Sequence, residues 1–171
     1  MKNKQSKNKY EFDKFKTSGE NYPKVIRAVV KDKVGFVWFA TEVGLYRFDG
    51  YNFKTYFRNS NDSKSISSNK LMCICDDDNY LWIGTLNGLN RFDKTTEEFK
   101  IYKFNREDES TLEYNDVMAI HISKNKELWI VTSTGLKKYD RENDKFTRYD
   151  LDSEGFRNPS TLYKDLSLIH I

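Results

Sequence analysis

Few residues in this chain are equipped for chemistry. His121 and His170 are its two histidines, Cys73 and Cys75 its two cysteines, and Asp76-Asp77-Asp78 follow at once. An imidazole titrates near neutrality and could serve as a base. A thiol pair could form a disulfide, and a run of carboxylates could hold calcium. The spacing argues against each. Cysteines two apart in an extended strand are poorly placed to join, and aligned on the tryptophans Cys73 falls with Val29 and Ile120, the place of a small core hydrophobe. The acidic run sits at a strand turn, without the spaced ligands and glycine of a calcium loop. His121 falls with Val30 and Ile74, in an inner strand, where a packed or axis-facing side chain is expected. There is no glycine-rich phosphate loop, no Cys-x-x-Cys and no His-x-x-x-His. The expectation is therefore no catalytic residue, no metal and no cofactor.

What the chain repeats is a framework. VWFATEVGLYRFD (37–49), LWIGTLNGLNRFD (81–93) and LWIVTSTGLKKYD (128–140) share one template: apolar-Trp-apolar-x-Thr-x-x-Gly-Leu-x-basic-aromatic-Asp. Its fixed points are Trp38, Trp82 and Trp129, then Thr41, Thr85 and Thr132, Gly44, Gly88 and Gly135, and Asp49, Asp93 and Asp140. The three tryptophans, the only ones in 171 residues, lie 44 and 47 apart. A period of that size marks a stacked repeat architecture. Aromatics make up 15% of the chain, which favours pleated, half-buried strands, and the net charge of +3 from 29 basic and 26 acidic residues is a solvated mixture with no nucleic-acid footprint.

Each repeat divides into four segments of strand length. An apolar run (VIRAVV, LMCIC, VMAIHI) meets a polar turn: Lys33-Val34-Gly35, Asp77-Asp78-Asn79 or Lys124-Asn125-Lys126. The tryptophan segment follows. Gly44, Gly88 and Gly135 are expected to turn the chain with positive φ, and the Thr, Gly and Asp positions are read as turn and hydrogen-bonding devices. A Phe-x-x-Tyr pair closes each copy: Phe53 and Tyr56, Phe99 and Tyr102, Phe146 and Tyr149. Four short strands per repeat describe a propeller blade, and one indole per blade can fill the gap to the next sheet. The fold class expected is all-β: an incomplete β-propeller with three four-stranded antiparallel blades in an open arc. The Gly-His and Trp-Asp pairs of one common propeller repeat and the double glycine of another are absent.

The boundaries expected are a disordered basic tail over 1–9, an orphan outer strand over 10–20 that closes a missing last blade, blades over 21–60, 61–105 and 106–152, and a linker over 153–165 to a missing fourth blade. Residues 166–171, LSLIHI, match the translation of CTG TCT CTT ATA CAC ATC, the mosaic-end adapter of shotgun sequencing libraries, and are set aside along with His170. No run of eighteen apolar residues occurs, so no membrane span is expected, and no secretion signal is read at the N-terminus. Three blades leave apolar end faces, so the chain alone is expected to self-associate.

The string GFVWFATEVGLYRFDGYNF (35–53) and the two later copies resemble the two-component regulator propeller repeat, and DSKSISSN (62–69) is similar to that family's connector between blades. Lys70 in place of Ile26 and Val117, and Ala40 and Val131 in place of Gly84, depart from the pattern. The resemblance implies a non-catalytic sensor module whose parent carries further blades, a β-sandwich, a transmembrane helix and an output, either a histidine kinase or a diguanylate cyclase. It implies a small-molecule or oligosaccharide ligand, a membrane-anchored dimeric parent and an extracytoplasmic propeller, with no direct nucleic-acid partner. The other reading is a protein-interaction scaffold. Ligand contacts are expected at the loops Glu42-Val43, Leu86-Asn87 and Ser133-Thr134 and in the linkers between blades.

Overall fold

The computed structural model describes residues 25–112 and 114–149. The tail over 1–9, the outer strand expected over 10–20, the linker over 153–165 and the segment 166–171 lie outside the described residues.

The described residues form twelve strands in three antiparallel four-stranded meanders. Blade 1 holds β1 (Ile26–Lys31), β2 (Val37–Thr41), β3 (Leu45–Phe48) and β4 (Phe53–Tyr56); blade 2 holds β5 (Leu71–Asp77), β6 (Tyr80–Thr85), β7 (Gly88–Asp93) and β8 (Phe99–Tyr102). Blade 3 holds β9 (Val117–Ile122), β10 (Leu128–Thr132), β11 (Gly135–Asp140) and β12 (Lys145–Tyr149). Each sheet runs in sequence order from the first strand to the fourth. Blade 1 packs on blade 2 and blade 2 on blade 3, which leaves the arc open.

Alternation along the strands supplies both seams. In blade 2, Leu81, Ile83, Phe92 and Phe99 face Trp38, Ala40 and Leu45 of blade 1. Its opposite face sends Trp82, Leu89 and Tyr102 against Leu128, Ile130, Tyr139 and Phe146 of blade 3. A sheet sandwiched on both sides explains why Leu81 through Thr85 are buried without a break.

The strand register corrects three alignments made on the tryptophans alone. Trp38 pairs with Val30, Trp82 with Cys75 and Trp129 with His121. His121 thus corresponds to Cys75, not to Ile74. Cys73 pairs with Gly84 as Ala28 pairs with Ala40 and Ala119 with Val131, so its counterparts are Ala28 and Ala119, not Val29 and Ile120. Leu71 pairs with Thr85 as Ile26 does with Thr41 and Val117 with Thr132. The apparent departure at Lys70 therefore disappears. One cause underlies all three: the turn between the first two strands of blade 2, Asp78-Asn79, is one residue shorter than its counterparts.

Both cysteines are free. Burial pushes the Cys73 thiol up to about 12 and Cys75 to about 11. The thiolate is the reactive species, so at pH 8 a disulfide-exchange reagent should label neither in the folded chain and both after urea is added. Rapid native labelling of Cys73 would show the second seam to be open.

Candidate functional site

The repeated residues act locally and at the seams. Thr41 Oγ1 donates to the Gly44 carbonyl at 2.7 Å and accepts from the Val43 amide at 3.1 Å. Thr85 does the same with Gly88 and Asn87, both at 2.9 Å. Gly44 and Gly88 have φ of 143° and 112°, which a side chain tolerates poorly. Gly135 is not among the positive-φ glycines. Its turn is looser, with Thr132 Oγ1 at 3.4 Å from the Gly135 carbonyl and a contact to Thr134 Oγ1 at 3.3 Å.

Asp49, Asp93 and Asp140 each open the turn into the fourth strand by accepting two backbone amides: Tyr51 and Asn52, Thr95 and Thr96, Glu142 and Asn143. Hydrogen bonds to the charged form favour it, and the pKa values of Asp49 and Asp140 are lowered, at Asp49 chiefly by the Asn52 backbone amide and at Asp140 chiefly by the Asn143 side-chain amide, then by its backbone amide.

Trp38 and Trp82 are enclosed between sheets. Trp38 stacks on Tyr56 of its own blade at 6.0 Å and meets the edge of Phe92 of the next blade at 5.4 Å. Trp82 repeats this with Tyr102 at 5.7 Å and Tyr139 at 4.9 Å. Their Nε1 groups donate to Asp32 at 2.8 Å and Asp77 at 3.0 Å. Blade 3 has Ser123 at that place, and its Glu127 is paired with Lys138. Trp129 is buried with Val131 and Leu136 in a separate cluster.

Sequence reading missed a second device. In the turn before the fourth strand, Glu97 and Asp144 occupy matching positions with φ of 60° and 55°, a conformation uncommon outside glycine. Each reaches back across its seam. Glu97 receives Arg47 at 3.1 Å, Tyr56 Oη at 3.2 Å and Lys54, all from blade 1. Asp144 receives Tyr102 Oη at 2.7 Å and Lys100 from blade 2, along with Tyr139 of its own blade. The sequence shows the basic position and the Phe-x-x-Tyr pair but not the acid that joins them.

Burial alone would raise the Asp144 pKa; the hydrogen bonds from Lys100, Tyr139 and Tyr102 overcome it and hold the carboxyl down at about 2. A folded-state pKa below the unfolded value of about 3.9 contributes stability that is present above pH 4 and lost as pH falls toward 2. Asp144→Asn should flatten that part of a melting-temperature profile between pH 5 and pH 2. An unchanged profile would mean that Asp144 is not the titrating group.

The same turns also send a cation toward carboxylates of the blade before. Lys94 joins Asp76 of its own blade and lies 3.9 Å from the buried Asp32 of blade 1. Arg141 of blade 3 joins Asp77 of blade 2 at 2.7 Å. Lys33 and Lys126 both pair with Asp78. All three members of the acidic run thus hold protein cations, and no metal-holding group of His, Cys, Asp or Glu occurs among the described residues.

The linkers prove to be a repeated structure. Ser65 Oγ donates to the Asn59 and Asp62 carbonyls and receives the Asn59 amide; Thr111 Oγ1 does the same with Asn105 and Asp108. Asn69 and Asn115 side chains accept the Arg58 and Phe104 amides. Lys64 and Ser110 carbonyls take the Phe99 and Phe146 amides, sewing each linker to the outer strand of the blade it enters. The linkers and the loops between second and third strands open on the same rim, since a meander brings alternate connections to one end.

No family model matches the chain. Among solved structures, the extracellular domain of a hybrid two-component system from B. thetaiotaomicron is 36% identical, with a TM-score of 0.71, over 75% of this chain and 19% of that one. A virginiamycin B lyase from Staphylococcus aureus, at 15% identity and a TM-score of 0.51 over 75% of this chain and 42% of its own, shares the fold alone. Among curated proteins, a stretch of 39 residues is 49% identical to histidine kinase P4 of Formosa agariphila, covering 23% of this chain and 3% of the kinase. The chain thus spans about a fifth of the solved sensor domain and a small part of the kinase. No helix among the described residues is long and apolar enough to cross a membrane. In its repeat and its fold, the chain resembles the extracellular sensor domains of hybrid two-component systems, and its three sheets are blades of an unclosed β-propeller.

Proposed function

We propose that the chain is part of a non-catalytic, ligand-sensing propeller of a bacterial signalling receptor. The reading places it outside the cytoplasmic membrane, in a membrane-anchored dimeric parent whose further blades complete the propeller. The output is a histidine kinase or a diguanylate cyclase, and the ligand is a small molecule, with an oligosaccharide as the favoured class. The observation that carries this is the 36% identity to an extracellular two-component domain over three-quarters of the chain. The geometry is consistent with it: the repeated polar residues are engaged in turns and seams, which leaves a rigid frame that can present variable loops.

The test is the genomic reading frame on both sides of this segment. It should encode more copies of the tryptophan template and then a transmembrane helix with a kinase or cyclase domain. A frame that adds blades and ends in a soluble partner-binding region would overturn the sensor reading in favour of a scaffold.

A further inference from the structure

The two seams share their aromatic and cross-seam contacts and differ at the central position of the third strand. The central residue of the third strand is Tyr46 in blade 1, Asn90 in blade 2 and Lys137 in blade 3. At the first seam, Asn90 is sealed by neutral bonds: it accepts the Ser67 amide at 2.9 Å and donates to Ser67 Oγ at 2.8 Å, and Ser67 Oγ contacts Thr85 Oγ1 at 3.1 Å. At the second seam the position is an ammonium. Lys137 is 4% exposed, and its Nζ donates to the Glu109 carbonyl at 3.0 Å. An ammonium carries three donors, so two remain for another acceptor. A buried cation that lacks full hydrogen bonding is costly, and nothing in the repeat requires one there.

Lys137 also lines a cavity of about 550 Å³ between the second linker and β12. That size suits a small ligand. Phe104, Arg106, Leu112, Phe146 and Arg148 contribute to its wall. Phe104 is stacked on Tyr114 at 5.8 Å and 13°, and the two rings are 40% and 53% exposed. The corresponding first-linker residues are Arg58 and Ser68. Two departures from the repeat, a buried lysine and an aromatic stack, thus converge on one concavity, whose charged lining sets Arg106, Lys137 and Arg148 against Asp108 and Glu109. Asp108 Oδ1 is engaged by the Ser110 amide and hydroxyl, at 2.9 and 2.6 Å, and the Asp108 charge interacts with Lys137, so an incoming anion competes with it.

We infer that this rim cavity binds a small carboxylate- or sulfate-bearing molecule with a flat ring face, the anion meeting Lys137 and the ring lying against Phe104. As the sensor's ligand site, the cavity rests on the sensing proposal for its role; as a binding site, it stands on its own geometry. The ring can be aromatic or that of an acidic sugar, since both present an apolar face that packs on an aromatic side chain.

The experiment is calorimetric titration of the chain with benzoate, with glucuronate and with inorganic sulfate, alongside amide chemical-shift mapping. At least one ring carboxylate should bind more tightly than sulfate and shift the Phe104, Glu109 and Thr147 amides. Lys137→Met should weaken that binding by ten-fold or more, and Phe104→Ala several-fold, while Lys124→Gln, on an exposed turn, leaves it unchanged. Near-UV circular dichroism checks that each variant is folded, and Lys137→Arg, which keeps the charge, should retain most of the affinity. The inference is overturned if the folded chain binds neither ring carboxylate, if the shifts lie elsewhere, or if Lys137→Met binds as well as the parent. Loss of the site would leave the sensor reading to the flanking frame, and a scaffold-type frame would leave a measured site intact.

Discussion

Trp82→Ala is expected to lower the unfolding free energy by about 3–5 kcal/mol, the range for truncating a large buried ring. The indole is fully buried, meets aromatic rings from two blades, and donates to Asp77 across the first turn of its own blade. Removing it opens a void at the centre of the second seam and also leaves a carboxylate held only by Arg141. The measurement is urea unfolding followed by far-UV circular dichroism, with the midpoint falling and the folded baseline kept. Trp82→Phe separates the two contributions: the ring remains, the Nε1 bond is lost, and the cost should shrink to about 1–2 kcal/mol. Trp129→Ala should cost less than Trp82→Ala, because its described cluster contains residues of blade 3 alone. Equal costs at the two positions would sink the view that the indole works as a spacer between sheets.

Gly84→Val should be nearly as damaging, at about 3 kcal/mol or more. The substitution installs the residue that blade 3 carries natively at the matching position, Val131. The difference lies in the neighbours. A Cβ on Gly84 would come within 2.7 Å of Val117 Cγ1 and 3.0 Å of the Val117 carbonyl, and would also collide with the Cys73 sulfur. Val131 faces Ala119 in the pairing where Gly84 faces Cys73. Space is therefore shared out pair by pair: Cys with Gly, Ala with Ala, Ala with Val. Adding Cys73→Ala to Gly84→Val should recover only part of the loss, since the Val117 backbone stays in place. Full recovery in the double variant would show that the thiol alone sets the limit, and no loss in the single variant would show a slack seam.

The strands and the fold class were legible in the sequence because two periods coincide there. Alternation within each segment marks strands, and the recurring Trp, Thr and Gly mark the blade. The register of the inner strands was not legible from alignment on Trp82, because the Asp78-Asn79 turn is shorter and moves every residue before it by one place. The cross-seam acids escaped notice for a different reason. Glu97 and Asp144 differ in type, sit in a turn, and reach partners 41 to 50 residues away for Glu97 and 42 to 44 for Asp144. The linkers carry a readable signal beyond the connector string at 62–69: Asn, Asp, Ser or Thr, and Asn at 59, 62, 65 and 69, matched at 105, 108, 111 and 115. The rim position of Lys137 stood out only once the seams could be compared, since Tyr, Asn and Lys at one place look like tolerated variation until one of them is found buried beside a cavity.

In both seams the reaching acid belongs to the later blade and the receiving Arg, Lys and Tyr to the earlier one. Blade 2 therefore carries a plug on one side, Glu97, and a socket on the other, Lys100 and Tyr102, and like sides do not match. Such a chain lengthens by tandem duplication without inventing a new joint, because a copied unit arrives with both connectors already cut to fit. The same polarity fixes the order of assembly in space, so that a shuffled unit still docks while an inverted one does not.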